Sequence, residues 1–138
     1  LIFLLFPFSL FSVEKTKEEK IAKYIIENIQ KDYVNCYSFY KVTAESFKRA
    51  NKDKKIIKGL EESADITLKF NYDLGEVLGI PPKIMAKNTK EKVNSLTSLA
   101  KSNFSSLTKE YGAMCKNLVE NQKQRIDFWE LKGKSKFK

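Results

Sequence analysis

Two cysteines, Cys36 and Cys115, and the complete lack of histidine decide most of the chemistry open to this 138-residue chain. A lone cysteine pair does one of two things: it oxidises to a disulfide outside the cytosol, or it stays as two reduced thiols within it. Zinc would ask for more ligands of these types than the chain has. Without histidine the commonest general base is also missing. The carboxylates remain. Glu61 and Asp65 stand at i,i+4 with Glu62 between them, and Asp73 and Glu76 share a face further on. Paired carboxylates can move protons or hold a metal, but a dinuclear site in a helical bundle is built on Glu-x-x-His pairs. These acids therefore read as a solvated charged face. Gly-rich phosphate loops, nucleophile elbows and metal-spaced cysteines are absent from the sequence. No catalytic residue, metal or cofactor is assigned.

The aromatic residues are the other candidates. Tyr33, Tyr37, Phe39 and Tyr40 surround Cys36, and Phe70, Tyr72, Phe104 and Tyr111 add to them. Core packing around a disulfide is the expected role, with a pocket for a small apolar ligand between helices as the alternative. Tyr37 falls off the apolar stripe of its segment. Together with Tyr40 and Trp129 it forms the candidate binding surface.

The formal net charge is +9, yet only Arg49 and Arg125 are arginines, and Lys132, Lys134, Lys136 and Lys138 crowd the last seven residues. Sequence-specific nucleic-acid sites lean on arginine for bidentate contacts, so nucleic acid is disfavoured as a partner. The lysine-rich end could give weak contact with an anionic membrane or cell-wall polymer. Its expected state is a disordered basic tail over 132–138. Asn103-Phe104-Ser105 is a glycosylation sequon, meaningful only in a eukaryotic secretory route.

Residues 1–12 carry no charge and end in small residues ahead of Glu14-Lys15-Thr16-Lys17. That block matches the apolar part of a signal peptide, truncated ahead of Leu1, with cleavage near Ser12 and a periplasmic or extracellular destination. A longer apolar run would make it a membrane anchor instead. Residues 13–131 are one domain's worth of chain.

The elements that position all these residues are helical. Thr16-Lys17-Glu18-Glu19 is a capping box. From it Ile21, Ile25, Ile29, Tyr33, Cys36, Tyr40, Thr43, Phe47 and Ala50 recur at steps of three and four. Asp32 and Asn35 compete for the backbone and mark a place where this helix could bend. After a polar turn at 51–55, Ile56, Leu60, Ala64, Leu68, Asn71, Leu74 and Leu78 give a second stripe, weakened at Gly75. Gly79-Ile80-Pro81-Pro82 closes it and opens the next helix. The third stripe runs Met85, Thr89, Val93, Leu96, Ala100, Phe104, Leu107, Tyr111, Cys115 and Leu118, which periodicity alone would make a single long helix.

A disulfide forbids that. At 1.5 Å per residue, a straight third helix would carry Cys115 to about 35 Å from Cys36. The bond needs α-carbons roughly 5.5 Å apart. A reversal at Lys101-Ser102-Asn103, among the weakest helix formers of the segment, brings the two level. The prediction is an all-α, antiparallel up-and-down four-helix bundle with one disulfide, its helices over 17–50, 54–78, 82–101 and 104–131. The last could restart at the Asn-x-x-Gln box headed by Asn121, and Trp129 should close the open end near Tyr24 and Ile25. The function expected is that of a non-enzymatic binding protein of a bacterial envelope with a protein partner. A carrier of a small apolar ligand and a His-independent enzyme are the alternatives.

Overall fold

The computed structural model describes residues 14–138, so the leader read at 1–12 lies outside the described residues. Thr16 accepts a 3.2 Å hydrogen bond from the amide of Glu19, and the helix α1, Lys17–Arg49, starts there. Its end turns through Asn51, whose φ of 52° is the left-handed value that asparagine tolerates. Asp53 then caps α2, Lys54–Val77, by accepting from the amide of Lys55 at 2.7 Å. At the far end the amide of Ile80 bonds the carbonyl of Gly75 and that of Gly79 bonds Glu76, with Gly79 at φ 70°. This pair of bonds forms a Schellman stop. Pro82 opens α3, Pro82–Glu120, and α4 covers Gln122–Lys136.

α3 is broken at Asn103, whose backbone leaves the helical region, and the Asn103 side chain caps the second arm by accepting from Ser106 N–H at 3.1 Å. The break reverses the chain. Along the first arm, residues from Met85 to Lys101 meet α1 in rising order, from Gln30 to Arg49. Along the second arm the order falls, from the Phe47–Phe104 ring pair to the Cys36–Cys115 disulfide, where the α-carbons are 5.2 Å apart. α4 continues downward, Gln122 reaching Tyr33, Arg125 reaching Asp32 and Gly133 lying against Ile21. The second arm of α3 and α4 together make the fourth rod of an all-α four-helix bundle.

α1 is the rod on which the other three pack, and no residue of α2 comes within 8 Å (Cα to Cα) of α4. That placement explains where the sequence stripe was too narrow. Gln30, Asp32, Val34, Ser38, Val42 and Ala44 are buried in addition to the stripe residues, because neighbours cover α1 on several sides. α1 runs through Asp32 to Asn35 without a break. The centre is filled by Cys36, Cys115, Leu107, Tyr33 and Leu118, each no more than 1% exposed. A depression floored by Val42, Val93 and Ala100 lies between α1 and the first arm of α3 and is open to solvent. Gly75 has a packing reason: a Cβ there would sit 2.5 Å from the Met85 sulfur.

The last segment departs from its expectation. Residues 132–136 continue α4 instead of forming a disordered tail. Gly133 is buried because the backbone passes so close to α1 that a Cβ would lie 3.2 Å from both Ile21 and Tyr24. The Phe137 ring then meets Tyr24 edge-on at 6.0 Å. Among the described residues no helix is long and apolar enough to cross a membrane.

Candidate functional site

Asp32 is the one buried carboxylate among the described residues, at 4% exposure. Its Oδ2 accepts from Arg125 Nε and from Trp129 Nε1, both at 2.6 Å, and its Oδ1 accepts from Arg125 Nη2 at 3.3 Å. With those partners the carboxylate acts as a structural clamp between α1 and α4. At the next residue of α1, the Tyr33 hydroxyl accepts from Gln122 Nε2 at 2.6 Å, and its ring stacks on Phe70 of α2 at 5.0 Å. Tyr33 thus bridges the space between α2 and the fourth rod. A second buried polar chain ties α1, α2 and α3: Gln30 donates to Asn71 at 2.8 Å, and Asn71 donates to Thr89 at 3.0 Å.

Burial raises the ionisation of Tyr33, Tyr40 and Tyr111 above the ordinary tyrosine value of 10.0. The Asp32 charge reinforces this at Tyr33, while the Gln122 hydrogen bond opposes it. A phenol harder to ionise in the folded than in the unfolded chain contributes stability below the unfolded value, and that contribution is lost as pH rises through the folded one. The melting temperature is therefore expected to fall as pH passes from about 9 to 11. Calorimetry across that range checks it, and Tyr33→Phe should reduce the slope.

The sequence-assigned positions separate. Cys36 and Cys115 form the disulfide, with the Met114 sulfur in contact at 3.6 Å from Cys36 Sγ. Tyr40 is a core residue, 8% exposed, and Tyr37 is half-buried against the same core. Trp129 is half-buried, its indole N–H spent on Asp32 and its ring edge-on to Tyr24 at 6.0 Å. The three do not make one exposed surface, because Tyr40 lies in the layer that α1 shares with the disulfide. Glu61 pairs with Lys48 at 2.7 Å and Asp73 pairs with Lys69, all on the exposed outside. Those acids form no converging group; among the described residues no cluster of three metal-ligating side chains occurs.

Two features lie outside the helical stripes of the sequence. One is the clamp, for which Arg125 was a signal, since an arginine in a lysine-dominated chain often has a geometric task. The other is an apolar strip on α2, where Ile66, Phe70 and Val77 are 44%, 38% and 68% exposed. These positions lie to one side of the buried line Ala64, Thr67, Asn71 and Gly75. The Phe70–Tyr33 stack and the Tyr33–Gln122 bond turn that side toward the fourth rod. No family model, no curated protein and no solved structure matches this chain.

Proposed function

We propose that this protein is an exported, non-catalytic binding protein that offers the α2 edge facing the fourth rod to a protein partner. The observation that carries the reading is the exposed strip Ile66, Phe70 and Val77, on a helix that no residue of α4 approaches within 8 Å (Cα to Cα). Exposed apolar side chains aligned on one helix face are the usual mark of a protein-binding surface. The filled centre supports a role at the surface over carriage of a ligand within the bundle. The leader-like stretch at 1–12 supports export.

Photo-crosslinking in the native envelope tests this. A photoreactive residue at Ile66 or Val77 is expected to give one discrete protein adduct, and a residue at Lys90, exposed on α3, is expected to give none. Reporting instead from position 70, the adduct should disappear in Ile66→Ser/Val77→Ser, whose melting temperature should stay within a few degrees of the parent. Equal adducts from Lys90, or an adduct that survives the double substitution, would contradict the proposal.

A further inference from the structure

We propose that the outer face of α4 rests on an anionic lipid bilayer. α4 turns Gly133 and the Trp129 indole toward α1, which leaves Phe128, 39% exposed, and Leu131, 72% exposed, on its outside. Lysines flank this pair on both sides, Lys132 and Lys136 beyond Phe128, Lys134 and Lys138 beyond Leu131.

The cations differ in what they do. Lys123 and Lys134 pair with Asp127 and Glu130, and Arg125 is committed to Asp32. Lys132 and Lys136 have no carboxylate partner among the described residues. Their ammonium groups lie over rings instead, Lys132 at 4.9 Å from the Phe128 centroid and Lys136 at 5.0 Å from that of Tyr24. The Arg125 guanidinium, 4.3 Å from the Phe128 centroid, sets that ring in place. Glu18 and Glu19 also stand at this end, in the first turn of α1, where the helix N-terminus holds their charge.

An exposed leucine and phenylalanine between lysines can rest at a membrane interface, side chains among the acyl chains and ammonium groups at the phosphates. A nucleic acid would use the cations and the ring but has no use for Leu131, so the bilayer is favoured. α4 ends beside Ile21 and Tyr24, in the first turns of α1.

Flotation of the whole chain with phosphatidylcholine vesicles, with and without phosphatidylglycerol, tests the proposal. The chain is expected to float with the anionic vesicles, and binding should weaken as salt rises. Lys132→Glu/Lys136→Glu and Leu131→Ser should each reduce it, the charge reversal by on the order of tenfold or more. Lys134→Glu/Lys138→Glu, whose side chains are exposed, repeats the charge test without touching the ring contacts. Lys52→Glu/Lys54→Glu makes the same change in net charge at the opposite end and should bind as the parent does. Four results would overturn the proposal: no flotation, equal binding to neutral vesicles, equal weakening by the distal reversal, or unchanged binding by the α4 variants. Binding of duplex DNA in preference to vesicles would overturn it as well.

Discussion

Asp32→Ala is expected to lower the unfolding free energy by about 4 kcal/mol, measured by urea denaturation with the disulfide intact. Asp32 is 4% exposed and the Arg125 side chain 22%, so removing the carboxylate leaves a guanidinium in a half-desolvated position with no counter-charge. The Trp129 indole N–H loses its acceptor in the same step. The loss therefore exceeds what an exposed ion pair would give, typically below about 1 kcal/mol. Asp32→Ala/Arg125→Met should recover a substantial part of it, because the stranded charge is gone. An Asp32→Ala loss below about 1 kcal/mol would show that the clamp contributes little to holding α4 on α1.

Replacing both cysteines by alanine is expected to cost about 4 kcal/mol, which the chain-entropy view attributes to the unfolded state. The bond joins residues 79 apart in sequence, so it removes much of the freedom of the unfolded chain. Both sulfurs are fully buried, and the site touches Met114, so truncation also leaves unfilled volume. Urea titration of the Cys36→Ala/Cys115→Ala variant reads this directly. The same variant discriminates between two causes of the reversal at Asn103. If the Asn103 cap and the packing of Leu107, Tyr111 and Leu118 on α1 suffice, its far-ultraviolet circular dichroism should match the parent at low temperature.

The four rods were legible in the sequence because their ends carry local chemistry: Thr16 and Asp53 as caps, Gly79 as a left-handed stop, Pro82 as a first helical residue. The reversal at Asn103 was legible only through the cysteine pair. Periodicity runs unbroken from Met85 to Leu118, and a break inside an unbroken stripe needs a long-range constraint to reveal it. At Asn121 the chain breaks as its flanking residues suggested, yet the Asn121 side chain makes no capping bond.

What the sequence could not convey depends on neighbours. The burial of Asp32, Val34 and Val42 follows from three rods sharing α1, and no single-helix pattern encodes how many partners a helix has. Residues 132–136 read as a charged tail because their order comes from Ile21 and Tyr24, more than a hundred positions earlier. Tyr40 stands in the α1 stripe and cannot also belong to an exposed surface. Its ring belongs to the layer around the disulfide, whereas the surface strip sits on α2, where isolated apolar residues outside a stripe look like ordinary exposed positions.

The Cys36–Cys115 bond ties the fourth rod to α1, and intact-mass analysis with a thiol-alkylating reagent measures that tie. Protein recovered from an oxidising compartment and denatured without reductant should take up no adduct, and two after reduction. Two adducts before reduction would show both thiols free and contradict the pairing of Cys36 with Cys115.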